Sequence, residues 1–207
     1  MCAASANKPE LAFNDVYKLN NYVDMQLLSF RYIEYAENAR NVADYSRLCR
    51  YMLAKFMIFN RMRAGEAARI LSNDCQFAEK VEECKIPKCL AIWLASLSDG
   101  QYVVSHKVQF RRKDKGLGLA AITPLMARML DTLFKYRKLI NMDFALLMFA
   151  NPRTKWTGFG GNKVLQDIAR EAEMPSPERF SSSTLRGSIV EYVGDWRGHT
   201  KSVAGKL

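Results

Sequence analysis

Apolar positions recur every three or four residues from 15 to about 39, at Val16, Leu19, Val23, Leu27, Phe30, Ile33 and Ala36. That is the period of an amphipathic helix, and Asn14 is its expected cap. A second stripe starts near 42, through Tyr45, Leu48, Cys49, Met52, Leu53 and Phe56. The centre of the pattern is 51–74, YMLAKFMIFNRMRAGEAARILSND, where an apolar helix runs into Arg61, Arg63, Gly65 and Glu66. A core helix therefore delivers charge to one place, and Gly65 is the small residue that lets another element approach there. A short helix over 65–71 is expected next, with a break at Ser72-Asn73-Asp74. A further helix is predicted over 87–97, opened by Pro87 and closed by Asp99-Gly100.

The period changes between 101 and 122. Tyr102, Val103, Val104, Val108 and Phe110 favour a strand, residues 111–116 (RRKDKG) supply turn chemistry, and 117–122 offer a return strand. This reads as a β-hairpin with a basic tip. Thr123-Pro124 caps a helix to about 139, with Leu125, Met129, Leu133 and Arg137 along one side. The apolar run 144–150 predicts a buried strand, stopped by Asn151-Pro152. Gly158-Phe159-Gly160-Gly161 fits no nucleotide-binding pattern and reads as a connector. A helix over 162–173 turns Val164, Leu165, Ile168 and Ala172 inward, and a serine-capped helix begins at Ser182 or Ser183. The expected fold class is mainly α with a small antiparallel sheet or hairpin. The expected organisation is a lead-in over 1–12, a domain over 13–193 and a truncated tail over 194–207.

Charge adds a partner class. The 207 residues carry 31 Lys and Arg against 21 Asp and Glu, a net +10 at neutral pH, which suits a polyanion. The longest apolar runs, 144–150 and 89–95, fall short of the roughly 20 residues that span a bilayer, and no signal-peptide core opens the chain. A soluble intracellular protein without membrane contact is expected. Cysteines at 2, 49, 75, 84 and 89 are odd in number and irregular in spacing, which suits reduced thiols. Without a close Cys-x-x-Cys pair or a neighbouring histidine, neither a metal nor a cofactor is expected.

Two places carry candidate chemistry. Arg63 and Glu66 are three apart and share a helix face, so the carboxylate can brace a guanidinium whose planar fork suits a phosphate diester. A surface ion pair closing a helix is the ordinary alternative. Arg186 stands in the first turn of a serine-capped helix, where free amides and the dipole already favour an anion.

The segment Phe59-Asn60-Arg61-Met62-Arg63-Ala64-Gly65-Glu66 resembles the first catalytic-arginine motif of the tyrosine recombinases, or phage-type integrases, and especially the Crypton-like mobile-element recombinases. Ser183-Thr184-Leu185-Arg186 is similar to the family's His-x-Leu-Arg, with serine in the histidine position. Arg197-Gly198-His199 is similar to its Gly-His. The resemblance covers about 11–193, with its parts in the family's order, and implies a recombinase-like catalytic domain without the extra DNA-grasping domain. It implies Arg63 and Arg186 as the two halves of a phosphate clamp, with Glu66 as brace and His199 as a further phosphate contact. Lys113, or else Lys115, matches the hairpin lysine that acts as general acid. Arg61, Arg111, Arg112, Lys115 and Ser183 are the accompanying DNA contacts. The resemblance further implies double-stranded DNA as partner, self-association on DNA and a nuclear location.

One part of the family pattern is missing. Its nucleophile is a tyrosine shortly after the Gly-His, and none follows His199. Tyr192 lies six residues beyond Arg186, so at about 100° per residue it points about 240° away round the helix. The expectation is therefore DNA binding with impaired strand cleavage and rejoining. The alternative is a non-enzymatic basic helical module that binds nucleic acid or protein.

Overall fold

The computed structural model describes residues 11–33, 42–80, 104–112 and 116–188. These form a mainly helical fold with a small antiparallel sheet. Helices α1 (Phe13–Ile33) and α2 (Val42–Asn60) lead into the short helices α3 (Ala64–Ala67) and α4 (Ser72–Gln76). The two-residue strand β1 (Glu79–Lys80), β2 (His106–Arg111) and β3 (Leu117–Ile122) then pair in that order. Helices α5 (Pro124–Leu139) and α6 (Gly161–Glu171), a 3-10 turn (Pro177–Arg179) and a last helix, α7 (182–188), complete the described chain. The helix expected over 87–97 and positions 36–39, 102 and 103 lie outside the described residues.

Helix α2 is the centre of the core. All nine residues from Tyr51 to Phe59 are buried, so it is enclosed on every side rather than along one stripe. Each Leu, Ile, Phe or Met buried there contributes about 1.5–3 kcal/mol. The buried series of α1, Val16, Leu19, Val23, Leu27 and Phe30, follows the predicted spacing. One charge is enclosed with this interface. The Lys55 ammonium lies 2.7 Å from both Asn20 Oδ1 and Asp24 Oδ2, and 5.4 Å from the Phe59 ring centroid. Burial lowers the Lys55 pKa and Asp24 opposes that shift.

Several local expectations are corrected. The first turn of α1 closes on the Ala12 carbonyl, which accepts from the amides of Asp15 and Val16, so Asn14 lies inside the helix rather than capping it. The helix expected over 65–71 ends at Ala67, and the expected break at 72–74 is helical. There the Asp74 carboxylate accepts from the Leu71 amide at 3.1 Å. Thr123, by contrast, caps α5 as predicted, its hydroxyl accepting from the Met126 amide at 3.2 Å.

The largest difference is at 144–150, which is not a strand. Ser72 Oγ donates to the Ala145 carbonyl, Ser72 N to Leu146, Phe159 N to Phe149 and Tyr45 Oη to Ala150. The Arg137 guanidinium supplies the rest, donating to Leu147 at 2.8 Å, to Met148 at 3.2 Å and also to Ala145. Every carbonyl from 145 to 150 is thus held, by partners from four places in the chain. A strand needs one continuous ladder, and this segment has only two isolated bridges, Leu71 with Leu147 at its middle and Ala150 with Gly158 at its end.

Three helices end alike. Arg61, Asn141 and Glu173 take left-handed backbone angles (φ 55°, 54° and 52°). The next residue, Met62, Met142 or Met174, returns its amide to a carbonyl five positions back. This is the Schellman ending, and all three methionines are buried against the core.

Arg137 is only 1% exposed, and removing it strands the Leu147 and Met148 carbonyls and leaves Ala145 to Ser72 alone. Arg137→Met is expected to destabilise the fold by about 3–5 kcal/mol, and Arg137→Lys by less, in urea unfolding. Alkali tests the same region. Burial pushes the Cys49 thiol up to about 12 and, as the leading cause, also raises Tyr45, Tyr51 and Cys75. These groups keep their protons when folded and lose them when unfolded. Stability is therefore full below pH about 9 and falls as pH rises through the folded values. The Lys55 shift works the other way, one group against four. Urea midpoints should fall between pH 9 and pH 10.5, and Cys49→Ala should flatten part of that slope, up to about 1.4 kcal/mol per pH unit.

Candidate nucleic-acid interface

Arg61 and Arg63 stand where α2 stops. The left-handed turn at Arg61 redirects the chain, and Arg63 follows in extended conformation as the cap residue of α3, its side chain exposed. Glu66 does not brace that guanidinium. Its Oε2 accepts from the Arg63 backbone amide at 3.0 Å, and no Arg63–Glu66 ion pair occurs within 4.0 Å. The carboxylate is spent on a free amide at the start of α3, which leaves the Arg63 fork turned to solvent.

The close approach expected at Gly65 is made elsewhere. A Cβ on Gly65 would meet only the Arg69 guanidinium, 3.7 Å away. At Gly161, the first residue of α6, a Cβ would stand 2.8 Å from Met57 Sδ and 3.0 Å from Ala64 Cβ. The missing side chain is what lets α6 begin directly against α2 and against the residue after Arg63.

From this contact the other candidate elements are fixed in turn. Asn162 Oδ1 accepts from the Ser182 amide at 3.0 Å, which ties the start of α7 to the start of α6. Ser181 is the cap of α7, not Ser182 or Ser183. Its hydroxyl accepts from the Thr184 amide at 3.2 Å, and its own amide donates to Thr184 Oγ1 at 3.0 Å. Ser183 is exposed with its hydroxyl 2.9 Å from Ser181 Oγ, and Arg186 is half-buried one turn further on.

Directly before the Arg61 turn, Asn60 clamps β3. Its amide group donates to the Ala121 carbonyl at 3.0 Å and accepts from the Ala121 amide at 2.6 Å. Lys107 pairs with Ala121 and Arg111 with Leu117, so the hairpin tip stands four residues, about 13 Å, from this clamp. Arg111 and Arg112 are exposed at the tip, and Arg112 N closes the turn on the Gly116 carbonyl at 2.8 Å. Lys113, Lys115, Tyr192 and His199 lie outside the described residues.

The junction residues Asn60, Gly161 and Asn162 were not singled out by sequence as holding the site together. Asn60 stood inside the motif without a role, and Gly161 was read as part of a connector. A second basic feature also escaped, an open cleft of about 910 Å³ lined by Tyr22, Gln26, Arg47, Arg50, Asn151 and Arg153 among others. Its charge is largely committed. Arg47 donates to Gln26 Oε1 at 2.9 Å, and Arg50 pairs with Glu171 at 3.1 Å and Asp167 at 3.8 Å. Burial raises the Asp167 carboxyl, but Lys163, Arg50 and Arg170 outweigh it and hold the group below its ordinary value.

No group of three metal-ligating side chains, and no helix long and apolar enough to cross a membrane, occurs among the described residues. Compared with known proteins, the chain matches no family model, no curated protein and no solved structure.

Gly161→Val is expected to force α6 from α3 and to lower stability by about 1–3 kcal/mol. Gly160→Ala, whose Cβ would meet nothing closer than Lys163 Cβ at 3.9 Å, should be nearly neutral in the same thermal-melting comparison.

Proposed function

We propose that this chain is a DNA-binding domain of the tyrosine-recombinase type, impaired in strand cleavage, in which Arg63 and Arg186 grip a phosphate of double-stranded DNA. One observation carries the reading. The elements bearing Arg61 and Arg63, the basic hairpin and the helix bearing Arg186 all converge on one junction, through the Asn60–Ala121 clamp, the Gly161–Ala64 contact and the Asn162–Ser182 bond. Arginines carried by elements that meet at one junction suit a diester backbone, since each guanidinium stays charged and takes two oxygens at once. Self-association on DNA and a nuclear location belong to the same proposal.

A second reading is favoured by Glu66, which caps its own helix instead of supporting Arg63. In it the chain is a non-enzymatic basic module, and its arginines are interchangeable charges. Anisotropy of a labelled duplex at two salt concentrations separates the two. The Arg63→Ala, Arg186→Ala double variant is expected to lower the salt slope by about 1.8, from about 0.9 per phosphate contact, and to weaken binding far beyond Lys138→Ala. An effect no larger than that of Lys138→Ala, with the fold intact, would favour the module.

A further inference from the structure

The seven residues between Ala150 and Gly158 form a loop that the junction does not use. Its backbone is held from within. Asn151 N donates to the Thr157 carbonyl at 2.8 Å, Lys155 N to the Asn151 carbonyl at 2.7 Å and Arg153 N to Asn151 Oδ1 at 3.0 Å. Thr154 and Thr157 join their hydroxyls at 2.6 Å, and Lys155 is held in a left-handed conformation (φ 61°) at the tip.

This ordered frame presents a large aromatic surface to solvent. Trp156 is 73% exposed and Phe144 50%, their ring centroids 5.9 Å apart at 54°. The Lys155 ammonium lies 5.8 Å from the Phe144 centroid, and Arg153, two residues earlier in the loop, is exposed. No Asp or Glu occurs between Asp143 and Asp167, whereas Arg153, Lys155 and Lys163 do. Asp143 is exposed directly before Phe144, but within the loop itself the charged residues, Arg153 and Lys155, are both cations, and an apolar surface beside them is complementary to a ligand with both π-faces and negative charge. Its root adjoins α3, since a Cβ on Gly158 would stand 2.7 Å from the Ala68 carbonyl.

We propose that this loop is a base-stacking element: Trp156, backed by Phe144, takes an unpaired base of single-stranded DNA, and Arg153 and Lys155 take the flanking phosphates. The inference rests on the DNA-binding reading above and extends it from duplex to unpaired strand. Exposed on a fixed loop, the indole would lose little freedom on binding, and every base offers it a π-face, so the contact would be indifferent to sequence.

The test compares a fluorescein-labelled oligothymidylate with a blunt duplex by anisotropy. Trp156→Ala is expected to weaken oligothymidylate binding about tenfold and to leave duplex binding within about twofold. Trp156→Phe should restore most of the loss, and the Arg153→Ala, Lys155→Ala double variant should lower the single-strand salt slope by about 1.4. Parent-like oligothymidylate affinity in Trp156→Ala would overturn the inference. So would concentration-dependent self-association in sedimentation that Trp156→Ala abolishes while single-strand affinity is unchanged, since the patch would then join two copies. The two readings fail separately. Duplex binding insensitive to Arg63→Ala, Arg186→Ala sinks the phosphate clamp alone, and the loop is judged on oligothymidylate.

Discussion

One buried guanidinium organises the irregular half of this protein. Arg137 has no carboxylate among its hydrogen-bond partners and spends its donors on the carbonyls of Ala145, Leu147 and Met148. A charge in a dry interior is costly unless strong dipoles surround it, and carbonyls in a dry interior are costly unless donors reach them. Each solves the other's problem. The segment 144–150 can therefore cross the core without ladder partners, and Tyr45 and Ser72 complete the set at its ends.

The geometry of the candidate site is downstream of that segment. Its middle pairs with the chain that enters α4 through Met148 N to Ile70 O and Ser72 N to Leu146 O. Its last residue, Ala150, begins the loop that carries Trp156, and the bridge to Gly158 returns the chain to α6. Arg63, the aromatic loop and the start of α6 are thus hung from one frame. The proposed phosphate and stacking contacts would on a common frame keep a constant separation, as two contacts on one DNA strand require.

The sequence revealed what is periodic or capped. α1 and α2 showed by their stripes, the hairpin by its β-favouring run and basic turn, and α5 by Thr123-Pro124. It did not reveal what depends on partners far along the chain. The run 144–150 has the composition of a strand, but its hydrogen bonds go to Arg137, Ser72, Tyr45 and Phe159, which no local pattern announces. Arg63 and Glu66 were correctly seen as near one another, but their spacing cannot tell a guanidinium partner from a backbone amide. Gly65 and Gly161 are chemically identical, and only packing against Met57 and Ala64 separates the one that matters from the one that does not. Half the Schellman signature was also absent, because Arg61, Asn141 and Glu173 occupy the place where glycine would have announced a helix end.

Those three helix ends bear on when the protein is vulnerable. Each closes by turning a methionine inward, at Met62, Met142 and Met174. A thioether oxygenated to the sulfoxide becomes polar and chiral and no longer suits an apolar seat. In the folded state burial shields all three sulfurs. Before folding they are open to oxidant, and damage then would fall on three helix stops at once, one of them the turn that presents Arg63. At these three stops resistance to oxidation is thus a matter of timing: the native fold shelters them, and the newly made or transiently unfolded chain carries the risk.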